Sequence, residues 1–477
     1  MKPRTSLVKD IAFASLRHLA GAAAGLLTIP LVARALGADG LGAWALVGTA
    51  SFVLAIADLG LSTAVQRAAA QGNMDKARHT VGLALTTILV VAPLLAIVGG
   101  FGLSELPTTS ASLRHDLPLA TALALLGGAI AAFAYPYRAL LLVKGGVRPV
   151  ARARTVGAVA QVAITAGVLA VWPSLVAPAL ALLVSSLLET ALVIHAAKVL
   201  DPALPIGPAR PPSLRAFGAL LGEGGASLAV NVGGLLALRA DIALLAGVSP
   251  LATVAAYGVA SRVVDQSFTL AKQTSTALLP RLSDPKAREH AARLGTALLG
   301  GLVASGMASI VLLGDPALVA WAGPVAASPE VSIAVGLLGA ASVIAAGHEV
   351  VASTLTLGAK SAWTAATPLV LGYAVNVVFS FLLVSSLGVW AVAGGTLLGN
   401  ALTSVLLWSR AAHLLGWDLR AVVRTLAPVV AGGAAALGAG LLVGHTLGDG
   451  LASSLAGCAA TTGLGLTATA LLARRSA

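Results

Sequence analysis

The sequence LPLATALALLGGAIAAFAYPYRALLL at residues 117–142 runs directly into the basic sequence VKGGVRPVARAR at residues 143–154. The first stretch exceeds the roughly 20 apolar residues that an α-helix needs to cross a bilayer. The second contains one Lys and three Arg, and cytoplasmic loops of membrane proteins are enriched in these residues. The junction therefore predicts a transmembrane helix that ends at the cytoplasmic face.

The composition extends this prediction to the whole chain. Of its 477 residues, 58% are hydrophobic and only 10% are charged, with a mean hydropathy of +0.94. So few polar residues cannot cover the surface of a soluble protein. The apolar runs are long and continuous, whereas strands of a membrane β-barrel alternate polar and apolar residues. We therefore predict an all-α polytopic membrane protein.

The net charge of +12 would suggest nucleic-acid binding in a soluble protein. Here most of the 30 Lys and Arg residues fall in alternate loops and at the termini, where the positive-inside rule accounts for them. No nucleic-acid partner is expected. The single cysteine, Cys458, provides neither a disulfide framework nor a thiol metal cluster.

The apolar runs predict fourteen transmembrane helices, and the first is too long for the apolar region of a signal peptide. They lie at about 11–35, 41–64, 79–101, 117–142, 153–171, 174–199, 216–245, 252–279, 291–313, 331–357, 361–386, 389–415, 421–443 and 453–473. An even number places both termini on one side. The basic loops assign that side to the cytoplasm, and the opposite turns contain a single basic residue, Arg114.

The chain divides at a proline-rich segment, because proline stops helices and stiffens the connection. We predict an N-lobe of helices 1–6 at 1–200, a cytoplasmic linker at 201–215, a C-lobe of helices 7–12 at 216–418, and helices 13–14 at 419–477. The first helix pair of each lobe has a similar pattern of helix, glycine-containing turn, helix and basic exit. Repeated helical halves are typical of secondary transporters, whose sites lie at the interface of the repeats.

Charged residues inside the predicted helices are the candidates for function, because a charge at the bilayer centre costs about 2.5–3.5 kcal/mol even on the lenient insertion scale. The candidate cations are Arg17, Arg34, Arg138, Arg239, Arg262 and Lys272. Arg262 lies ten residues into its helix, so it is ~15 Å deep at 1.5 Å per residue. It shares a polar stripe with Asp265 and Lys272. Excess cations at this depth predict an anionic ligand, and arginine binds phosphate groups through forked hydrogen bonds.

Four acids inside the helices are candidates for coupling transport to H⁺ or Na⁺: Asp58, Glu223, Asp265 and Glu349. Structural roles compete with this interpretation. Asp58 could cap a helix or pair with Arg17, and Asp265 could form an ion pair with Arg262 at i, i+3 spacing.

Several other polar residues have simple structural interpretations. Arg34 and Arg239 lie near outer helix ends, where long side chains reach water. Glu189 and His195 are expected to be solvated at the cytoplasmic interface. The intramembrane asparagines, Asn376 and Asn400, are typical of contacts between helices.

Enzymatic chemistry is not predicted. The sequence has no phosphate-binding loop of the ATPase type, no His-Glu-x-x-His zinc motif and no Gly-x-Ser-x-Gly nucleophile motif. No cofactor is expected apart from a coupling H⁺ or Na⁺. A membrane glycan polymerase or ligase would need a large outer loop with basic and histidine residues, and the longest outer loops contain only Arg114 and His115.

Two stretches carry a resemblance to a known family. PLVARALGADGLG at residues 30–42, followed by DLGLSTAVQR at residues 58–67, resembles the opening helix pair of the Wzx-type polysaccharide flippases. These belong to the multidrug/oligosaccharidyl-lipid/polysaccharide (MOP) exporter superfamily. The second lobe begins similarly, with RAD at 239–241, YGVASR at 257–262 and ALLPRLS at 277–283. Fourteen helices arranged as twelve plus two also match the flippases.

The resemblance implies two six-helix lobes in a V-shaped arrangement, with two further C-terminal helices, that alternate access to a central cationic cavity. It implies transport of an undecaprenyl-diphosphate-linked oligosaccharide from the inner to the outer leaflet of the bacterial cytoplasmic membrane. Arg17, Arg138, Arg262 and Lys272 would line the cavity. Glycosyltransferases or a glycan polymerase would be partners.

A lipid II flippase is one alternative of the same superfamily, although its first helix typically carries more arginines than the single Arg17 here. A cation-coupled multidrug exporter is another. That class would favour an acidic, aromatic-lined cavity, whereas only 4% of the residues here are aromatic.

Overall fold

The computed structural model describes residues 5–104, 111–144, 146–207, 214–358, 361, 363–446 and 450–476, and the secondary structure over these ranges is helical. The α-helices are α1 (Thr5–Val53), α2 (Leu61–Ala70), α3 (Met74–Ser104), α4 (Ala111–Val143), α5 (Val147–Val171), α6 (Val176–Leu200), α7 (Leu214–Val248), α8 (Leu251–Ser283), α9 (Arg288–Leu313), α10 (Asp315–Ala322), α11 (Pro329–Gly358), α12 (Trp363–Leu387), α13 (Val389–Leu415), α14 (Leu419–Thr446) and α15 (Leu451–Ser476). Short 3-10 turns cover Leu54–Ile56 and Gly323–Ala327. The all-α prediction is confirmed.

Within the described residues, 12 helical segments are long and apolar enough to cross a membrane, so the chain is a multi-pass membrane protein. Two features explain the difference from the fourteen predicted spans. The predicted spans 11–35 and 41–64 both fall largely within α1, which Gly37 divides into two helices, and the fully described part of α1 supplies one candidate segment, Gly21–Val53. α8 supplies none, although it is 33 residues long. Its charged residues lower its hydropathy, which is the property that made it a functional candidate.

The backbone changes direction twice within the region of the first two predicted spans. Gly37 has a φ of 70° and interrupts the helical geometry of α1. Leu59 and Gly60 have φ values of 47° and 78°, and they separate the end of the 3-10 turn from α2. A leucine at positive φ is uncommon, because its Cβ crowds the backbone there. The predicted span 41–64 is therefore a broken helix.

The chain forms two compact units. The first unit comprises Met1–Leu235 and Pro250–Ala252, and the second comprises Leu236–Ser249 and Thr253–Ala477. Both unit boundaries fall in or beside α7 and the start of α8. The lobe boundaries drawn from the sequence remain a prediction.

In the first unit, the beginning of the proline-rich segment is held against the helices. Asp201 accepts hydrogen bonds from Arg78, at 2.9 Å from Nε and 3.1 Å from Nη2. This hydrogen bonding lowers the pKa of the Asp201 carboxyl below its ordinary value of 3.8. The buried Tyr137 donates its hydroxyl hydrogen to the carbonyl oxygen of Pro205 at 2.6 Å. The predicted linker therefore begins as part of the first unit.

In the second unit, α14 and α15 pack against α9 along a seam of small and hydroxylated residues. A Cβ placed on Gly301 or Gly432 would collide with the side chain of Thr469. On the same seam, Ser309 and Thr461 share a hydrogen bond of 2.6 Å between their hydroxyls. Small residues allow membrane helices to approach closely, and hydroxyls hydrogen-bond across the interface. The last two helices are thus integral to the second unit.

Candidate functional site

A buried carboxylate in the first unit is held between two arginines from different helices. Glu189 on α6 is 5% exposed. Its Oε1 accepts a hydrogen bond of 2.6 Å from Nη2 of Arg138 on α4, and its Oε2 accepts one of 2.9 Å from Nη1 of Arg154 on α5. We call these three residues the arginine triad. Two guanidinium groups and one carboxylate give it a formal charge of +1.

Small residues and an aromatic ring surround the arginine triad. Gly157 lies against Glu189, where a Cβ would be 3.3 Å from that of the glutamate. Gly21 on α1 faces the guanidinium of Arg154, where a Cβ would be only 2.9 Å from Nε. The guanidinium of Arg138 lies over the ring of Tyr135, 5.4 Å from its centroid. The triad therefore ties α4, α5 and α6 together beside α1.

The triad corrects two expectations from the sequence. Glu189 is buried and paired rather than solvated at an interface. Arg154, assigned to a cytoplasmic loop, lies on α5 and pairs with Glu189. Helical spacing could not reveal the triad, because its three members lie on three different helices. His195, the other residue expected to be solvated, is exposed.

Asp58 has a structural contact of the kind weighed for it. Its Oδ1 accepts a hydrogen bond from the backbone N–H of Gly60 at 3.0 Å, and its Oδ2 accepts one from that of Ser62 at 3.2 Å. A carboxylate stabilises a helix N-terminus by satisfying free N–H groups and by opposing the helix dipole. Asp58 thus caps α2 at the helix break. Its predicted role in ion coupling stays a prediction.

The second unit also places two arginines near one carboxylate. Nη2 of Arg239 on α7 is 3.8 Å from Oδ2 of Asp265 on α8. Arg262, half-buried and one turn before Asp265 on α8, interacts electrostatically with both residues. The ion pair of Asp265 is therefore with a neighbouring helix, rather than with Arg262 as weighed from the sequence. We call Arg239, Arg262 and Asp265 the second-unit arginine group, and its formal charge is also +1.

A different arrangement surrounds Asp241 on α7, which is 1% exposed. Its Oδ2 accepts hydrogen bonds from the hydroxyls of Tyr257 at 2.7 Å and Thr396 at 3.0 Å. The Ser380 hydroxyl, with its single hydrogen, lies 3.4 Å from Oδ1 of Asp241 and 3.2 Å from Oδ1 of Asn376. We call Asp241, Tyr257, Ser380 and Thr396 the Asp241 cluster. Among the described residues, no cation forms an ion pair with this carboxylate.

From the sequence, Asp241 was noted only as part of the RAD stretch at residues 239–241 and was assigned no function. Two of the hydroxyls beside its carboxylate lie on α12 and α13, more than a hundred residues later in the chain. Asn376 donates to the carbonyl oxygen of Ala237, one turn before Asp241, at 3.1 Å. The carbonyl oxygen of Val392 lies 3.2 Å from the Thr396 hydroxyl and is a second possible acceptor of its hydrogen. The cluster thus offers carboxylate, hydroxyl and carbonyl oxygens at one buried point, which suits a proton or a small hard cation.

The remaining predicted site residues lie on α1, α7, α8 and α11. Arg17 lies on α1, Glu223 on α7 and Lys272 on α8, and the side chains of all three fall outside the described residues. Arg34 is exposed on α1, three residues before the break at Gly37. Glu349 is half-buried on α11 and interacts electrostatically with Tyr373 on α12.

Solved structures of similar fold are transporters. A lipid II flippase named MurJ, in an inward closed conformation, matches with a TM-score of 0.74 and 11% identity, over 97% of this chain and 99% of that chain. The chain has the fold of the MOP-superfamily transporters. An inward-facing multidrug resistance MATE family transporter of that superfamily matches with a TM-score of 0.63 and 15% identity, over 84% of this chain and 96% of that one.

A third match is the eukaryotic MATE transporter AtDTX14, with a TM-score of 0.61 and 14% identity, over 88% of this chain and 98% of that chain. No family profile and no curated protein sequence matches the chain. At these identities the matches describe the fold, and this MOP-type fold agrees with the architecture expected from the resemblance of its first helix pair.

Proposed function

We propose that the protein is a flippase for an undecaprenyl-diphosphate-linked oligosaccharide, which it moves from the cytoplasmic to the outer leaflet by alternating access. In this proposal it spans the bacterial cytoplasmic membrane fourteen times with both termini in the cytoplasm. The diphosphate binds to arginines, while the lipid tail stays in the bilayer. Glycosyltransferases or a glycan polymerase would supply or consume the substrate.

The observation that carries this proposal is that two groups of residues on membrane helices each bring two arginines to one acid. The arginine triad and the second-unit arginine group each contain two guanidinium groups and one carboxylate. Structural ion pairing needs only one cation for each acid, and burying a further charge is costly. Such sites attract anions, and guanidinium groups bind phosphoryl oxygens through two parallel hydrogen bonds. A diphosphate fits this chemistry.

The Asp241 cluster supports a coupling ion in this mechanism. Among the predicted coupling residues, Asp58 caps a helix and Asp265 pairs with Arg239. Asp241 instead accepts hydrogen bonds from neutral hydroxyls. Binding of H⁺ or Na⁺ would balance its charge, and an ion that prefers one conformation shifts the equilibrium between the two. Asp241 is therefore the strongest candidate for the coupling site.

A lipid II flippase is the second candidate, because the matched flippase structure covers almost the full length of both chains. The multidrug exporter is third. Its matched structures cover 84% and 88% of this chain. The uncovered part is comparable in length to one pair of membrane helices.

The experiment compares three substrates with protein reconstituted in liposomes: a fluorescent lipid-linked oligosaccharide, fluorescent lipid II, and a cationic dye. We expect the lipid-linked oligosaccharide to be flipped fastest. Arg262→Ala should reduce its flipping by roughly 10- to 100-fold, the range expected for losing a hydrogen bond to a charged group. Arg424→Ala, an exposed arginine on α14, is the matched control.

Three results would change the proposal. Faster transport of lipid II would favour the second candidate, and transport of the dye alone would favour the exporter. Full activity of Arg262→Ala, with normal membrane insertion, would remove Arg262 from the substrate site.

A further inference from the structure

The two arginines of the triad share the Glu189 carboxylate between them. Each guanidinium donates to a different oxygen, at 2.6 Å from Arg138 and 2.9 Å from Arg154. Each arginine therefore uses one terminal nitrogen on the carboxylate, although a guanidinium can offer five N–H donors. This geometry is the one expected for an oxyanion held between two arginines, and a side chain of the protein itself supplies the oxyanion.

The triad has donors left over. Nε of Arg138 is buried and finds no hydrogen-bond acceptor among the described residues. A buried donor without an acceptor is costly, so native structures rarely retain one. Glu189 is too small to satisfy both guanidinium groups, whereas a phosphate or diphosphate has more acceptor oxygens and a larger negative charge.

The triad can be reached from outside the protein core. The side chain of Arg154 is 41% exposed, compared with 22% for Arg138 and 7% for Glu189. Gly21 faces the guanidinium of Arg154 where any larger residue would displace it. An incoming anion would therefore meet Arg154 first and Arg138 afterwards, in exchange for the carboxylate.

We propose that the arginine triad is a binding site for phosphate or diphosphate groups, and that Glu189 occupies it when no ligand is bound. The ligand displaces the carboxylate and takes over its two guanidinium partners. This inference deepens the proposed function and rests on it for the choice of a diphosphate as the natural ligand. Glu189 thereby acts as a built-in competitor that weakens binding and favours release.

The decisive variant is Glu189→Gln, which keeps the side-chain shape and removes the competing charge. The full-length protein in lipid nanodiscs is titrated with inorganic pyrophosphate by calorimetry. We expect Glu189→Gln to bind roughly 10- to 100-fold more tightly than the parent protein, the range of hydrogen bonds to charged groups. Arg138→Gln and Arg154→Gln should each weaken binding.

The matched control is Glu289→Gln on α9. Glu289 also accepts a hydrogen bond from an arginine, Arg293, at 2.7 Å, but it forms one such ion pair and is half-exposed. Its substitution should leave the pyrophosphate affinity unchanged. A triad that only holds helices together predicts that Glu189→Gln lowers thermal stability without increasing affinity, and that result would overturn the inference.

Glu189→Asp covers the case in which Glu189→Gln does not fold. It keeps the charge but is shorter by one methylene group, so it cannot reach both arginines as well, and affinity should rise by a smaller factor. No gain in any folded Glu189 variant would refute the inference.

A parallel titration with nanodiscs containing a polyprenyl diphosphate separates a lipid head group from a free anion as the source of the ligand. Binding of pyrophosphate with the expected Glu189→Gln gain, but without flipping of the lipid-linked oligosaccharide, would refute the proposed function and leave this site standing. Flipping without any pyrophosphate effect would do the reverse.

Discussion

Glu189 in the first unit and Asp241 in the second are both buried acids on membrane helices, but their partners differ in charge. Glu189 receives hydrogen bonds from two guanidinium groups, whereas Asp241 receives them from three neutral hydroxyls. Two cations lie against the carboxylate of Glu189. The described contacts of Asp241 include no cation, so a bound ion would have to balance its charge. The same fold thus contains one buried acid held by cations and another surrounded by neutral donors.

The largest effect should come from removing the carboxylate between the two arginines. Glu189→Ala leaves two guanidinium groups without their acceptor, and breaking a buried ion pair from one side costs about 3–5 kcal/mol. The melting temperature of the purified protein in detergent, followed by scanning fluorimetry, measures this loss. Asp75→Ala, which removes an exposed partner of Arg78, should have little effect. Equal effects of the two substitutions would mean that burial of Glu189 is energetically unimportant.

An intermediate effect is expected at the Asp241 cluster. Asp241→Asn preserves the shape of the side chain, and its amide oxygen can still accept hydrogen bonds from Tyr257 and Thr396, but it removes the charge that H⁺ or Na⁺ would balance. Coupling free energies between sites are typically about 1–3 kcal/mol, so gradient-driven transport should fall roughly 5- to 150-fold. Transport into liposomes with imposed pH or sodium gradients measures it.

The control for this test is Asp418→Asn. Asp418 is exposed and caps α14 through the backbone N–H of Ala421 at 2.7 Å, and asparagine caps helices as well as aspartate does. It should therefore keep its response to both gradients. An Asp241→Asn variant that still responds to both gradients would contradict the coupling role of the Asp241 cluster.

The smallest effect concerns an acid paired with arginine outside the membrane spans. The pKa of Asp201 is lowered in the folded protein, mainly by its hydrogen bonds from Arg78. Its stabilising contribution is therefore complete above about pH 4, the usual pKa of a free aspartate, and is lost as the pH falls through the lower folded value. Asp201→Asn should lower the melting temperature by less than about 2 °C at pH 7.

The pH profile then checks the assignment. The difference between Asp201→Asn and the parent protein should disappear at a pH below the lowered pKa of Asp201 in the folded protein, because both side chains are neutral there. A difference that persists at that pH would have a cause other than the ion pair. The contrast with Glu189→Ala compares an acid held by two arginines within the membrane helices with one held by Arg78 outside the membrane spans.

The sequence was sufficient for those features that depend on local composition. Continuous apolar runs predicted the all-helical membrane fold, and the charges of α8 identified Arg262 and Asp265 as an unusual pair. The break after Asp58 was not predicted, because the apolar pattern continues through it and only the backbone at Leu59 and Gly60 reveals it.

The functional clusters required tertiary structure. The members of the arginine triad lie on three helices, with Arg138 and Glu189 separated by 51 positions. Asp241 meets Thr396 across 155 positions. Hydropathy and helical spacing compare residues within one helix, so they cannot report which helices pack together. For this reason Glu189 was expected to be solvated and Asp241 was assigned no role.

The seam between α9 and the last two helices has a consequence for how the chain can be shortened. Without α14 and α15, the glycine and hydroxyl face of α9 at Gly301 and Ser309 would be turned towards lipid. That face has the composition by which membrane helices associate. A chain that ends before α14 would therefore expose this face of α9. It should associate with other copies into dimers or larger species. With α14 and α15 in place, this face of α9 is covered.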